Sequence, residues 1–382
     1  MEETLRLIRE ISLAQQIRSI ADPKSEGISI MNNRKGLLKV LSVLLALVTL
    51  SLFTAACGDD DESSEQNTTE SSEQNTTKPD NGWPSKITFG AVPAEAASSL
   101  EADYEHTRAI LISEIEGLEE IDFFQATEYA GIIEGIIAGR IDVGQFGGFS
   151  YVIATNNGAD VDVAGVMTRD PEVEPGYRSY LVTHPDSGIT SIEQLADKTV
   201  CFVDPGSTSG FLFPSEGMLS AGLDPSETST DIVPVFAGGH DASAITVANG
   251  ECDAGFAYDS MVTSQLIDSG DIKGVIDDVE DENVNPEDAD LRIIWKSQTI
   301  SGAPMAISND LPADFIARWK EVLNENVNVP WAIENGFCEG TLEDNTCSFA
   351  DEDDTWGYVP KTDAFYDGIR QVCEVTKASK CG

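Results

Sequence analysis

The sequence is poor in basic residues. Its 382 residues contain 23 Lys and Arg against 67 Asp and Glu, which gives a formal net charge of −44 at pH 7. Such an acidic surface repels the phosphate backbone of nucleic acids and the headgroups of anionic lipids. We therefore expect no nucleic-acid partner and no membrane binding through charge, and we interpret the acidic residues as a solvated surface.

Histidines and closely spaced thiols are also scarce. The three histidines, His106, His184 and His240, lie far apart, and no C-x-x-C pair is present, so the sequence does not favour a metal site. There is no G-x-S-x-G motif, and His240-Asp241 with Ser207 would form an unsupported triad. We expect no metal, no cofactor and no catalytic residue, with a metal-binding lipoprotein and a hydrolase as lesser alternatives.

Long apolar runs are absent apart from residues 40–53, which are fewer than the roughly 20 that a membrane-spanning helix needs. A basic segment, residues 32–35 with Lys39, precedes this run, and Thr54-Ala55-Ala56-Cys57 follows it. This order is typical of a signal peptide. Its cysteine resembles that of a bacterial lipobox, although Thr54 replaces the more usual Leu. We expect Met31 to be the true start, residues 1–30 to be an extension, residues 31–56 to be the signal peptide and Cys57 to be lipidated.

The next segment has almost no apolar residues. The octapeptide Glu-Ser-Ser-Glu-Gln-Asn-Thr-Thr occurs twice, at residues 62–69 and 70–77. Such a segment cannot bury enough surface to order itself. Residues 57–85 are therefore predicted to be a lipidated cysteine followed by a disordered acidic tether to the membrane.

Six cysteines are left once Cys57 is assigned to lipid, and an even number in an exported chain indicates disulfides. Six cysteines allow 15 pairings. Two pairs are local in sequence, which leaves a third pair at the starts of two predicted strands. The candidate disulfides are Cys338 with Cys347, Cys373 with Cys381, and Cys201 with Cys252.

Strand-like and helix-like runs alternate from residue 86, which is the pattern of an α/β fold. Residues 87–92 and 121–124 read as strands, residues 96–115 as one long helix, and residues 191–194 as a capping box that opens a short helix. The pattern predicts one lobe from residues 86–180 plus 297–382 and a second lobe from residues 181–296. Because the chain crosses twice between them, a ligand crevice is expected between the lobes.

The segment Val203-Asp204-Pro205-Gly206-Ser207-Thr208-Ser209-Gly210-Phe211 joins a predicted strand to a predicted helix. A helix start leaves backbone N–H groups unpaired, and neighbouring hydroxyls add further donors. Ser207, Thr208 and Ser209 therefore form a candidate anion cradle that needs no Lys or Arg. The alternative is an ordinary Ser/Thr helix cap.

Several segments, in order along the chain, resemble the phosphonate and phosphite substrate-binding proteins of ABC transporters. The resemblance covers nearly all of the chain from Lys86 onward. The segments are Tyr129-Ala130-Gly131-Ile132-Ile133-Glu134-Gly135, Ile141-Asp142-Val143, residues 206–214, Gly239-His240-Asp241, Val247-Ala248-Asn249-Gly250, Ile294-Trp295-Lys296-Ser297 and residues 365–370.

This resemblance implies a two-lobed α/β periplasmic-binding-protein fold of type II, with a hinge and an interdomain ligand cleft. It implies capture of a phosphorus oxyanion (phosphonate, phosphite or phosphate) and delivery to an ABC permease, by a monomer on the outer face of the cytoplasmic membrane. An alternative function with the same fold is that of a sensor that presents its bound ligand to a membrane kinase. The implied ligand-binding residues are Tyr129, Tyr177, Ser207, Thr208, Ser209 and His240. Because a histidine can gain charge near neutral pH, we expect His240 to be a pH-sensitive donor.

Members of this family that bind an aminoalkyl phosphonate hold the amine with carboxylates. One such position falls near Ser260, beside Asp259, which we include among the candidate ligand residues. Another falls at Ala303, where the family often has Asp. Because an unpaired buried charge is costly, the missing acid predicts a ligand without an essential amine.

Overall fold

The computed structural model describes residues 82–226, 228–277, 289–351 and 355–381. The predicted extension, the signal peptide, Cys57 and the tether as far as residue 81 lie outside these ranges. Within them, no helix is both long enough and apolar enough to cross a bilayer.

The strands of the described ranges are short, and most of their side chains are buried. In chain order they are β1 (Lys86–Ala91), β2 (Glu120–Phe124), β3 (Val143–Gln145), β4 (Val161–Thr168), β5 (Gly176–Tyr177), β6 (Ser179–Thr183), β7 (Thr199–Phe202), β8 (Val233–Phe236), β9 (Ala254–Tyr258), β10 (Val275–Asp277), β11 (Leu291–Lys296), β12 (Ile300–Ser301), β13 (Pro304–Ser308) and β14 (Gly357–Val359).

The helices between the strands are also short. They are α1 (Ala97–Asp103), α2 (Glu105–Glu114), α3 (Tyr129–Ile137), α4 (Gly148–Asn156), α5 (Phe213–Ser220), α6 (His240–Ala248), α7 (Leu266–Asp268), α8 (Ala313–Glu325), α9 (Val329–Glu334), α10 (Ser348–Asp351) and α11 (Asp367–Thr376). A π-helical turn, Thr208–Leu212, leads directly into α5, and a second one, Met261–Gln265, precedes α7.

In the described part of the chain twelve of these strands form two six-stranded sheets, and β5 and β12 form a two-stranded one. The first has the order β14-β4-β13-β3-β1-β2, and the second has the order β10-β11-β6-β9-β7-β8. Part of each sheet is parallel: β1 runs parallel to β2 and β3, and β7 runs parallel to β8 and β9. Both sheets therefore place the loops that follow these strands at their carboxyl edges, where open sheets bind ligands.

The chain passes between the sheets twice. It leaves the first sheet after β4 and returns between β11 and β13, and β5 and β12 pair antiparallel on these two crossings. The predicted boundary between residues 180 and 181 falls inside β6, which pairs with β9 and β11 of the second sheet. The first crossing therefore ends at Ser179, where β6 begins.

The three predicted disulfides are present. Cys201 in β7 is bonded to Cys252, just before β9, which ties two neighbouring strands of the second sheet together. Cys338 is bonded to Cys347 immediately before α10, and Cys373 of α11 is bonded to Cys381.

Two local predictions were wrong. The helix expected over residues 96–115 is broken at Tyr104, which is buried and packs with its ring 4.9 Å from that of Phe89, and this packing holds the chain at the break. The Ser191 side chain does not cap the turn Ile192–Leu195. Instead, the Gln194 side chain reaches back one residue further, and its Oε1 accepts from the Thr190 amide at 2.7 Å.

Candidate functional site

The segment that follows β7 turns sharply before the π-helical turn begins. The Ser207 amide donates to the Asp204 carbonyl at 2.9 Å, and the Gly206 amide donates to Asp204 Oδ1 at 2.7 Å. Ser207 itself is extended, and its Oγ accepts from the Gly210 amide at 3.1 Å, as an N-cap does. The predicted helix-cap geometry is therefore real, and the cap uses the Ser207 oxygen as an acceptor.

The three hydroxyl side chains are almost fully buried, with exposed fractions of 1% for Ser207 and 2% for Thr208 and Ser209. Ser207 Oγ lies 3.3 Å from His240 Nε2, at the start of α6. The carbonyl of Ser209 accepts from Ser179 Oγ at 2.6 Å, which anchors the segment to β6. The structure thus brings together Ser207, Thr208, Ser209 and His240, as predicted.

The His240 ring is held in one tautomer. Its Nδ1 accepts from the Tyr258 amide at 3.2 Å, so in the neutral ring the hydrogen is on Nε2, which faces Ser207. Burial lowers the pKa of His240 to about 3. The prediction that His240 gains charge near neutral pH was therefore wrong for this closed, buried site, since desolvation disfavours the charged ring.

Tyr129 begins α3 and reaches the cradle from the first sheet. Its side chain is buried and lines the same cavity as Ser207, and burial raises the pKa of Tyr129 well above its usual value. Tyr129 is thus a neutral hydrogen-bond donor. Its backbone amide donates to Asp204 Oδ2 at 3.3 Å, which connects α3 to the loop after β7.

Thr208 is also connected to the first sheet. Its Oγ1 accepts from the Phe149 amide, in the first turn of α4, at 2.9 Å. Gly147 allows this approach, because a Cβ added there would lie 2.8 Å from Thr208 Oγ1. The hydroxyl hydrogen of Thr208 then remains for another acceptor.

A cavity of about 180 Å³ lies between the two sheets. A space of roughly 10–15 Å³ is enough for one water molecule, so this volume holds on the order of ten such positions. Its lining includes the predicted residues Ser207, Thr208, Ser209, His240 and Tyr129. The cavity therefore has room for a tetrahedral oxyanion with one small substituent.

The rest of the lining combines polar and acidic side chains, such as Glu95 and Asp103, with large apolar and aromatic ones. Leu100, Tyr104, Met167 and Phe349 contribute to it, together with Tyr177 of β5. Phe349 follows Ser348, whose amide donates to His106 Nδ1 at 2.9 Å just after the Cys338–Cys347 disulfide. The predicted residue Tyr177 thus lines the cavity from a crossing between the sheets.

Asp259 does not line the cavity. Its Oδ1 accepts from Arg169 Nη2 at 3.2 Å, and its Oδ2 accepts from the Arg178 amide at 3.1 Å. Arg169 Nη2 also donates to Ser260 Oγ at 2.7 Å. The carboxylate proposed as a ligand group is therefore engaged by the protein, whereas Ala303 does line the cavity.

Sequence reasoning missed Arg169 and Asp204. Arg169 is the only Lys or Arg among the described residues that line the cavity, yet it lies in a loop after β4 with no motif around it. The position of Asp204 before the hydroxyl run was visible, but its contact with α3 crosses 75 residues of sequence. No local sequence motif predicts a contact between residues so far apart in the chain.

Comparisons with known proteins agree with this geometry. A family model described as "ABC transporter, phosphonate, periplasmic substrate-binding protein" matches residues 89–325. The chain is 40% identical over 344 residues to the phosphate-import protein PhnD of Mycolicibacterium smegmatis, which covers 89% of this chain and 97% of the relative.

Two solved structures show the same fold at low sequence identity. A binding protein component of a phosphonate ABC transporter from Pseudomonas aeruginosa has a TM-score of 0.60 at 22% identity and covers 76% of this chain and 86% of its own. PhnD1 from Prochlorococcus marinus in complex with methylphosphonate has a TM-score of 0.59 at 17% identity and covers 77% and 99%. The predicted two-lobed fold is confirmed, and the chain belongs to the family of phosphonate substrate-binding proteins of ABC transporters.

Proposed function

We propose that this protein is an extracytoplasmic solute-binding lipoprotein that captures a phosphorus oxyanion between its two lobes and delivers it to an ABC importer. Inorganic phosphate is the first ligand to test, because the relative that is 40% identical is a phosphate-import protein. In this proposal Tyr129, Ser207, Thr208, Ser209 and His240 bind the anion.

The observation that carries the proposal is the presence of several buried, uncharged hydrogen-bonding side chains in the lining of one cavity. The tautomer of His240 directs Nε2–H toward Ser207 Oγ, and the buried Tyr129 side chain lines the same cavity. Hydrogen bonds to an ionised acceptor are about twice as strong as neutral ones, so such donors can hold an anion without a cation beside it. The net charge of −44 repels anions, but salt screens this repulsion beyond a Debye length of about 8 Å. The hydrogen bonds act at contact distance.

The geometry does not support the alternative of a hydrolase. In a Ser-His-Asp triad the histidine Nδ1 carries a hydrogen and donates it to a carboxylate. Here His240 Nδ1 accepts from the Tyr258 amide, so it has no hydrogen to donate. The homologous proteins are themselves transport proteins that bind substrates.

We also propose that the ligand carries no essential amine. The wall at Ala303 has no carboxylate, and both oxygens of Asp259 accept hydrogen bonds from the protein. Glu95 and Asp103 also line the cavity, so the proposal concerns only the positions of Ala303 and Asp259. An ammonium group held there would lack a carboxylate that compensates for its desolvation.

A titration panel tests the ligand. Calorimetry with phosphate, phosphite, methylphosphonate, 2-aminoethylphosphonate and sulfate should give saturable binding of at least one phosphorus oxyanion, without turnover of phosphate esters. At 100 times its dissociation constant, such a ligand should stabilise the fold by about 2.7 kcal/mol. Absence of binding to every phosphorus compound contradicts the proposed function, and much tighter binding of 2-aminoethylphosphonate contradicts the amine proposal.

The membrane anchor and the partner need separate tests. Mass spectrometry of the mature N-terminus should show a lipidated Cys57, and Cys57→Ser should release the protein from the membrane. Reconstitution with a permease and its ATPase should give phosphate uptake that depends on this protein. A ligand-presenting sensor would instead bind phosphate but support no uptake. Size-exclusion chromatography tests the oligomeric state and should show a monomer.

A further inference from the structure

The loop after β7 contacts the starts of two helices that belong to the other sheet. Asp204 Oδ2 accepts from the Tyr129 amide of α3 at 3.3 Å, and Thr208 Oγ1 accepts from the Phe149 amide of α4 at 2.9 Å. Both helices follow strands of the first sheet, whereas the loop follows a strand of the second. The two contacts therefore exist only while the lobes lie against each other.

The backbone N–H groups of a first helical turn have no partner within the helix, and a side-chain oxygen that accepts from one of them stabilises the helix. The structure gives α3 and α4 no cap hydrogen bond from their own preceding residues, Glu128 and Gly147. Asp204 and Thr208 supply this acceptor from the opposite lobe. A third contact nearby, from the His240 amide to the Ala94 carbonyl at 2.8 Å, also joins the two sheets.

We propose that Asp204 and Thr208 form an interlobe latch, in which the loop that carries the anion cradle also caps α3 and α4 and so favours closure of the two lobes. The latch rests on the proposed function, because it assigns the cradle loop to oxyanion capture. Asp204 does not line the cavity, so it acts as a positioning residue. Thr208 lines the cavity and belongs to both the latch and the cradle.

The expected free energy of the two caps indicates how much of the lobe closure the latch can account for and how much the ligand must supply. A cap of this kind changes an equilibrium constant by about two- to thirtyfold. A shift from a mainly open to a mainly closed population requires about 10⁴-fold. Two caps therefore bias the lobes toward closure without completing it, and the bound oxyanion provides the remainder.

The experiment compares Asp204→Ala with Asp224→Ala in the purified protein. Asp224 is a matched control, because its Oδ1 accepts from the amide of Ser226, two residues later, at 2.9 Å, just as Asp204 Oδ1 accepts from the Gly206 amide. Unlike Asp204, Asp224 is exposed, and among the described residues it has no hydrogen bond to the other sheet. Distances between spin labels on the two lobes report closure with and without phosphate. Calorimetry reports the dissociation constants of phosphate and methylphosphonate.

Asp204→Ala should shift the ligand-free protein toward longer interlobe distances and weaken the binding of every anion by the same factor, about two- to thirtyfold. Asp204→Asn keeps one oxygen acceptor and should lie between the wild type and Asp204→Ala. Asp224→Ala should change neither quantity. Unfolding curves confirm that each variant is folded.

Unaltered interlobe distances in folded Asp204→Ala, or a change equal to that in Asp224→Ala, overturn the latch. A loss of affinity for one anion only also overturns it, because that result indicates direct contact with the ligand. If the wild type binds no phosphorus oxyanion, the proposed function fails, whereas the distances in the ligand-free protein still decide whether the latch exists.

Discussion

Two groups of contacts join the lobes on different sides of the cavity, and they differ in charge and burial. On the cradle side, Thr208 and His240 bond to the first sheet through neutral, buried atoms. On the rim, Arg169 pairs with Asp259 while the Arg169 side chain is 39% exposed. Apart from the Asp204 carboxylate, the cradle side therefore connects the sheets through buried neutral groups, whereas the rim connects them through an ion pair whose side chains are 39% and 15% exposed.

The difference shows where an acidic protein can gain affinity for an anion. An exposed ion pair contributes little, because water and salt screen it and two long side chains lose freedom. Buried neutral donors bring no positive charge, but they keep their strength when water is excluded. We therefore expect the cradle side to control affinity and the rim to contribute little.

The largest expected effect comes from the disulfide behind the cradle. Cys201 and Cys252 are 51 residues apart, and loop-closure entropy predicts a loss of about 4 kcal/mol in the free energy of unfolding when both are replaced by Ala. Cys373 and Cys381 are only 8 residues apart, so the same replacement there should cost about 2.5 kcal/mol. Denaturant unfolding of both double variants measures the order, and a larger loss for the second pair would contradict it.

The cradle itself is tested by Ser207→Ala. This change removes the oxygen that accepts from the Gly210 amide and lies 3.3 Å from His240 Nε2. Because the proposed ligand is charged, affinity for phosphate should fall by about 1.5 to 3 kcal/mol, measured by calorimetry. Ser215→Ala is a matched control, since Ser215 is equally buried but its hydroxyl donates to the Phe211 carbonyl. Equal dissociation constants for both variants would rule out the cradle.

Much of this site follows from local sequence patterns, because helix caps and turns involve residues close together in the chain. The hydroxyl run from Ser207 to Ser209, directly after a predicted strand, was sufficient to predict a helix start with clustered hydroxyls. The disulfide pairings followed from the spacing of the cysteines. The alternation of strands and helices was also sufficient to predict two α/β lobes with a cavity between them. These features depend on neighbours in sequence or on regular periodicity.

What sequence reasoning could not provide depends on packing between distant segments. The partner of Asp259 is Arg169, 90 residues away, so the carboxylate looked available when it was not. The ionisation of His240 depends on desolvation by residues from several elements, which lowers its pKa to about 3. The helix is broken at Tyr104, whose ring packs against that of Phe89 in β1. The periodicity of residues 96–115 gives no sign of this contact with a distant strand.

The buried, neutral state of His240 predicts a pH effect on stability. An unfolded histidine has a pKa of about 6.5, so below that pH the unfolded chain binds a proton that the folded chain does not. The free energy of unfolding should therefore fall as pH decreases, by about 1.4 kcal/mol per pH unit from this group. His240→Gln lacks this titration, so the advantage of the wild type over this variant should shrink between about pH 7 and pH 5. Parallel unfolding free energies would show that folded His240 accepts the proton.

The smallest effect is expected at the rim. Arg169→Ala removes a partly exposed ion pair, which is worth less than about 1 kcal/mol, so the phosphate dissociation constant should rise by no more than about fivefold. The rise should disappear in high salt, because screening already removes most of the attraction. Arg140→Ala, which deletes an exposed arginine of equal charge, controls for the change in net charge. A loss greater than tenfold that persists in salt would place the Arg169 guanidinium on the oxyanion, and the division between a binding cradle and a weak rim would then be wrong.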